Sequence, residues 1–227
     1  MRNDDPPTPA PVVVLEYQED AGAGFIGEWL DARGLSWTVV RPDEPEPDAS
    51  AAAAIISLGS SHSAYASQPT WIPRQLPLLR GALEADTPVL GVCFGAQALA
   101  LAAGGEVARA VSPEIGWVAP DTEQPELRGP WLAWHYDVIT LPPGAVELAR
   151  SPMALQAYRI GRSVGVQFHP EVTPAIWNEW ASREPEIIRR HVAEPERLAA
   201  AVDSSGAALR TRLFGLLDWW RRSVLGS

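Results

Sequence analysis

Apolar residues in the first hundred positions alternate between two rhythms. Val12-Val13-Val14-Leu15 is an unbroken apolar run of strand length, as expected where both faces of a sheet are covered. Gly24 to Arg33 carries Phe25, Trp29 and Leu30 at helical spacing, and Gly34 supplies a C-cap. Ser36 to Val40 reads as the next strand, and Pro42 to Pro47, three prolines and three acids, as a solvated loop. Ala51 to Leu58 has the length of a buried strand and runs into Gly59. Trp71 to Ala85 is amphipathic and helical, and Pro77 inside it predicts a kink or a split. Thr87 to Val92 is apolar and leads straight into a small-residue helix from Phe94 to Ala103, closed by Gly104-Gly105.

After Gly105 the rhythm changes. Short strands are predicted at Glu106–Ala110, Gly116–Ala119, Leu132–Leu141, Val146–Arg150, Ala154–Ile160 and Ser163–Phe168, with turns at Pro142-Pro143-Gly144 and Ile160-Gly161-Arg162. Beyond Pro174 the pattern is helical: Ala175–Ala181, Glu184–Val192, Glu196–Val202 and Ala207–Val224. Strands alternating with helices imply an α/β fold with a mostly parallel central sheet flanked by helices. The middle strands extend that sheet or form a small antiparallel ribbon beside it. The predicted organisation is a disordered leader over residues 1–11, one domain over 12–173, and a helical C-terminal extension over 174–227 packed on the same domain.

Composition narrows the function. The chain has 227 residues, 46% of them hydrophobic, enough for a packed core and too many for a disordered chain. Its net charge is −10 and its pI about 4.9, which argues against nucleic acid or an anionic membrane as partner. All 18 basic residues are Arg, so neither a lysine Schiff base nor a phosphate-binding lysine is available. One cysteine excludes a disulfide framework and a Cys-rich zinc site, and the four histidines show no metal-ligand spacing. No segment has the roughly 18 uninterrupted apolar residues of a membrane helix. The Pro- and Asp-rich start has neither the cationic end nor the apolar core of a signal peptide, so the expected location is cytoplasmic.

The sharpest local signal is Gly91-Val92-Cys93-Phe94-Gly95, set where a strand ends and a helix begins. A nucleophile flanked by glycines at such a junction forms a tight elbow. The sulfur then sits at a helix N-terminus, where the dipole and free N–H groups favour an anion, and the Phe94 N–H can stabilise an oxyanion. The plainer reading is a buried, inert cysteine between packing glycines. A thiolate needs a proton shuttle, and His169 follows the apolar strand Val164–Phe168, at the sheet edge where ligands gather in α/β folds. Glu171, two residues on across Pro170, can orient the imidazole. Taken singly, a strand-end histidine held by a loop carbonyl and a helix-leading acid are the simpler readings; with the elbow they form a triad. His135, between Trp134 and Tyr136, suits a pocket wall or a structural role equally. His62, in the serine-rich loop after Gly59, could approach the site, though a surface loop is the first reading; His191 reads as solvated helix. Asp137, Glu106 and Glu114 could each be functional acids; a solvated or capping role is the default for an isolated acid. Trp177, Trp180, Trp219 and Trp220 stand at helical spacing, which suits core packing or a homodimer contact.

These motifs resemble the class I, triad-type glutamine amidotransferases, and among them proteins similar to the amidotransferase domain of GMP synthase. Pro88 to Gln97 resembles the nucleophile motif, and Gly165-Val166-Gln167-Phe168-His169-Pro170-Glu171 the His/Glu motif. Ile56 to Ser60 stands where the family has its glycine-rich oxyanion turn, here with Leu58-Gly59 for the usual paired glycine and Ser60 for the usual proline. Trp134 to Asp137 stands where the family has the stretch beside bound glutamine, with Trp134 and Tyr136 in place of small residues. The resemblance implies that Cys93 forms a γ-glutamyl thioester, His169 shuttles protons and Glu171 orients it. It also implies that the Gly59 and Phe94 N–H groups hold the oxyanion. Gln97 and backbone groups of Trp134, Tyr136 and Asp137 would contact the substrate. No cofactor or metal is implied.

Three functions follow. The first is an amidotransferase component that passes ammonia from glutamine to a separate synthase. The second is a free-standing γ-glutamyl hydrolase or peptidase using the same thioester. The third, a non-catalytic binding module, is opposed by the complete triad.

Overall fold

The computed structural model describes residues 10–225; most of the predicted leader lies outside them. The chain runs β1 (Val12–Leu15), α1 (Gly24–Ala32), β2 (Trp37–Val40), β3 (Ala54–Ser57), α2 (Trp71–Glu84), β4 (Val89–Val92), α3 (Phe94–Ala102), β5 (Glu106–Val118), β6 (Trp131–Thr140), β7 (Val146–Arg150), β8 (Leu155–Ile160), β9 (Ser163–Val166), α4 (Pro174–Arg183), α5 (Pro185–His191) and α6 (Pro195–Leu225). Seven strands form one sheet in the order β2-β1-β3-β4-β9-β8-β7. β1 to β4 and β9 pair in parallel, and β8 and β7 add an antiparallel flank. β5 and β6 make a separate antiparallel ribbon. The middle strands thus do both things the pattern allowed.

The unbroken apolar runs are explained by the two layers they feed. Successive strand residues point to opposite faces. Val12, Val14, Ala54, Ile56, Leu90 and Val92 pack with α1, α4 and α6. Val13, Leu15, Ile55 and Val89 pack with α2 and α3. Trp177 and Trp220 are buried in the first of these cores, so the chain's own packing accounts for them.

One local prediction is narrowed and two are corrected. α2 is not split at Pro77, one of the two outcomes expected there, but continues as helix through it. Pro77 and Pro73 are both exposed, so the carbonyl that loses its partner faces water, while Ile72, Gln75, Leu78, Leu79 and Ala82 keep the buried stripe. The strands expected at Glu106–Ala110 and Gly116–Ala119 are one strand, whose register shifts between Arg109 and Glu114. Pro113 lies in that interval and cannot donate to the ladder. The two helices expected after Glu196 are a single α6, continuous across Asp203-Ser204-Ser205-Gly206. Gly206 is a point of close approach rather than a stop: a Cβ there would lie 3.2 Å from Pro174 Cγ. No helix among the described residues is long and apolar enough to cross a membrane.

Candidate active site

The elbow forms at the C-terminal end of β4. Cys93 has φ 49° and ψ −105°, a strained conformation for a non-glycine residue, costing about 1–3 kcal/mol. Both flanking glycines are needed on steric grounds. A Cβ at Gly95 would lie 2.0 Å from the Ser57 carbonyl oxygen, and one at Gly91 2.6 Å from that of Gly95. The turn is tied down on both sides, by Cys93 N–H to Val166 O at 2.8 Å and Gly95 N–H to Leu58 O at 3.1 Å. The Phe94 ring, buried against Tyr17 and Trp71 with centroids at 4.9 and 5.5 Å, anchors the first turn of α3 from below. Burial pushes the Tyr17 hydroxyl above its ordinary value, against a hydrogen bond with Ser57 that pulls the other way.

His169 arrives from β9. Its N–H donates to Leu132 O at 2.7 Å, locking it to the start of β6, and Phe168 stacks on Trp131 at 4.7 Å. Glu171 is held by its backbone: the Phe25 N–H at the start of α1 donates to Glu171 O at 2.9 Å. Gly24, at φ +47°, permits that contact, because a Cβ there would come within 2.2 Å of the same oxygen. Glu171 Oε1 then accepts from His169 Nδ1 at 2.7 Å, which leaves Nε2 for exchange with sulfur. Burial alone would lower the His169 pKa; the Glu171 carboxylate and the Cys93 sulfur outweigh it and hold the imidazole well above its ordinary value. The Cys93 thiol is directed at the Trp134 carbonyl, 3.8 Å away. Gly59 borders both groups: a Cβ there would lie 2.9 Å from His169 Cε1 and 3.9 Å from Cys93 Cβ. Among the described residues, neither the Gly59 nor the Phe94 N–H is taken up by a loop or turn carbonyl.

A cavity of about 490 Å³ opens over these groups, lined by Gly59, Cys93, Gln97, Trp134, Tyr136, Asp137 and His169 among others. Phe94 and Glu171 stand behind the wall, one presenting a backbone amide and the other gripping the imidazole. His62 and His135 both line the cavity, the pocket reading that the sequence left open for each. Three more features were not legible. Glu114 accepts from His135 at 2.9 Å and from Gln156 at 2.6 Å; burial raises its pKa, and the bonds from His135, Ser151 and Gln156 outweigh this and lower it. The Asp137 carboxylate accepts from Ser63 at 2.6 Å and Tyr65 at 3.3 Å, pinning the loop after β3 to β6. Trp180, Arg183, Glu184 and Ile187 close the cavity from the C-terminal helices. Only Trp180 carried a signal, its place in a tryptophan cluster, and that pointed to the core. Among the described residues no three His, Cys, Asp or Glu side chains gather as metal ligands.

This geometry coincides with a family match. The model for class-I glutamine amidotransferases matches residues 25–179. The chain belongs to the class-I glutamine amidotransferase family. It is 32% identical over 163 residues to the GMP synthase (glutamine-hydrolyzing) of Aeropyrum pernix, covering 56% of this chain and 31% of that protein. It is 38% identical over 120 residues to a shorter protein of Ignicoccus hospitalis, named as one component of a glutamine-hydrolyzing GMP synthase, covering 46% of this chain and 63% of the relative. The chain thus spans about a third of the longer relatives. Among solved structures, a glutamine amidotransferase of Methylobacillus flagellatus superposes with a TM-score of 0.85 at 28% identity, over 94% of this chain and 95% of that one. One from Thermotoga maritima does so with a TM-score of 0.83 at 23% identity, covering 95% and 98%, a likeness of fold.

Proposed function

We propose that this member of the family hydrolyses the side-chain amide of glutamine through a thioester on Cys93. The observation that carries the reading is His169 held between the Glu171 carboxylate and the Cys93 sulfur, with two uncommitted backbone amides beside them. Cys93 Sγ adds to the amide carbon, and its proton passes through His169 to the departing nitrogen. The C–N bond breaks as ammonia leaves, and the γ-glutamyl group stays on sulfur. His169 then takes a proton from water, whose oxygen adds to the same carbon. The C–S bond breaks, releasing glutamate and restoring the thiol. The Gly59 and Phe94 N–H groups stabilise the oxyanion in both halves; one such donor is worth about 2.7–4 kcal/mol in acyl transfer. Gln97 and the backbone of Trp134, Tyr136 and Asp137 bind the amino-acid portion.

The ammonia goes to a separate acceptor or synthase. The Ignicoccus hospitalis relative, one component of a glutamine-hydrolyzing GMP synthase by its name, supports a divided arrangement. Purified protein, with or without such a partner, is expected to release ammonia from glutamine. Its Cys93 is expected to carry a mass adduct after exposure to a glutamine-like diazoketone. Cys93→Ala should lose both properties; full glutaminase activity in that variant overturns the mechanism. Steady turnover of γ-glutamyl peptides with negligible glutamine hydrolysis would instead identify a γ-glutamyl hydrolase using the same groups.

A further inference from the structure

One wall of the cavity comes from beyond the family match. The match ends at residue 179, and the next residue, Trp180, meets the imidazole directly. Its ring centroid lies 4.9 Å from that of His169, with the planes crossing at 71°. Trp180 is itself fixed at several points. Its indole N–H donates to the Asp20 carbonyl at 2.7 Å, and its ring meets Trp134 edge to face at 6.1 Å and 85°. Arg183, three residues on, pairs with the Asp20 carboxylate at 3.2 Å. The helix carrying these residues is anchored too. Thr173 Oγ1 accepts from the Ile176 N–H at 3.2 Å as the cap of α4, Trp177 is buried, and Gly206 lets α6 approach Pro174.

The imidazole turns only about its Cα–Cβ and Cβ–Cγ bonds, and the hydrogen bond at Nδ1 opposes that rotation along one edge of the ring. Gly59 bounds the ring at Cε1, and the indole bounds it on a further side. We propose that Trp180 is a positioning residue for His169: held by the Asp20 carbonyl, it keeps the imidazole aimed at Cys93 and shields its flank from water. The C-terminal extension would then be part of the catalytic apparatus, not only a cover for the core. The inference rests on the proton-shuttle role given to His169 above. Displacement of a reacting group by about 1 Å can cost on the order of a hundredfold in rate, so loss of this support should show in the chemistry rather than in binding.

The test compares full-length wild type, Trp180→Phe and Trp180→Ala by two readouts. The first is kcat and KM for glutamine. The second is the rate of Cys93 alkylation by iodoacetamide, which needs no glutamine and so remains informative if glutamine hydrolysis itself fails. Trp180→Ala is expected to lower kcat about tenfold or more with KM within about threefold, and to slow alkylation by a comparable factor. Trp180→Phe keeps an aromatic flank but loses the hydrogen bond to Asp20 and should recover part of both. Wild-type kcat and alkylation in Trp180→Ala overturn the proposal. A rise in KM alone also overturns it, since that marks a substrate wall. If the alanine variant does not fold, Trp180→Phe is set against Trp180→Leu, and equal rates in that pair overturn it.

Discussion

Glu171 governs the state of His169. Burial would drive the proton off the imidazole, and the carboxylate 2.7 Å from Nδ1, together with the Cys93 sulfur, reverses that tendency. A proton held more tightly in the folded chain than in the unfolded one stabilises the fold. That contribution is complete below the unfolded value of about 6.5 and is lost as pH rises through the higher folded value. Glu171→Gln keeps the size and an acceptor for Nδ1 but removes the charge. The wild-type melting temperature is therefore expected to fall more steeply than the variant's as pH rises above neutrality, and the two curves should converge at alkaline pH. Thermal melts across that range check it; parallel curves would show that Glu171 does not set the imidazole's protonation. Turnover of glutamine by the same variant should drop by roughly two to four orders of magnitude, as in other triads whose orienting acid is neutralised.

At the scale of elements, the site depends on a ribbon and a sheet held in fixed relation. A buried polar chain does this beneath the cavity. His135 on β6 bonds Glu114 on β5, Gln156 on β8 donates to the same carboxylate, and Gln97 on α3 donates to Gln167 just after β9 at 3.4 Å. Gln156 and Gln167 face each other across the β8–β9 pairing, joined by Gln167 N–H to Gln156 O at 2.9 Å. His135 Nδ1 lies 3.1 Å from the Asp137 carbonyl, within the strand proposed to bind substrate. A buried hydrogen bond contributes about 0.5–1.5 kcal/mol, so Gln156→Leu is expected to raise KM for glutamine about two- to twelvefold with kcat nearly unchanged. Steady-state kinetics decide it; a fall in kcat at constant KM would separate this chain from substrate binding. None of it was visible in the sequence, because cross-strand partners such as Glu114 and His135 depend on register. That register passes through an irregularity between Arg109 and Glu114 which no periodicity marks. What was visible was whatever local sterics and local order dictate. The glycines around Cys93, the apolar runs of β1, β3 and β4, and the short step from His169 to Glu171 each determine a local geometry.

At the scale of the molecule, the C-terminal helices complete one of the two cores rather than decorating it. Leu209, Leu213, Leu216, Leu217, Trp220 and Val224 of α6 are buried in the same cluster as Phe25 and Trp29 of α1 and Ile56 of β3. Asp218 adds a polar clasp, accepting from Trp29 Nε1 at 2.9 Å and from Arg33 at 2.6 Å. Removing α6 would expose that whole apolar face to water and take away the Asp218 acceptor of the Trp29 N–H. Domains are only about 5–15 kcal/mol more stable than their unfolded chains, and burying a single large side chain contributes about 1.5–3 kcal/mol. The face supplied by α6 is therefore of the order of the whole stability. A chain ended at residue 194 is expected to lose its cooperative melt and the proposed glutamine hydrolysis together, even though the whole family-matched segment, residues 25–179, and every residue of the proposed triad would still be present. Circular-dichroism melting of the shortened chain checks this. A cooperative transition within a few degrees of the full-length protein would mean that the sheet and the first five helices carry their own core, and that α6 merely rests upon it.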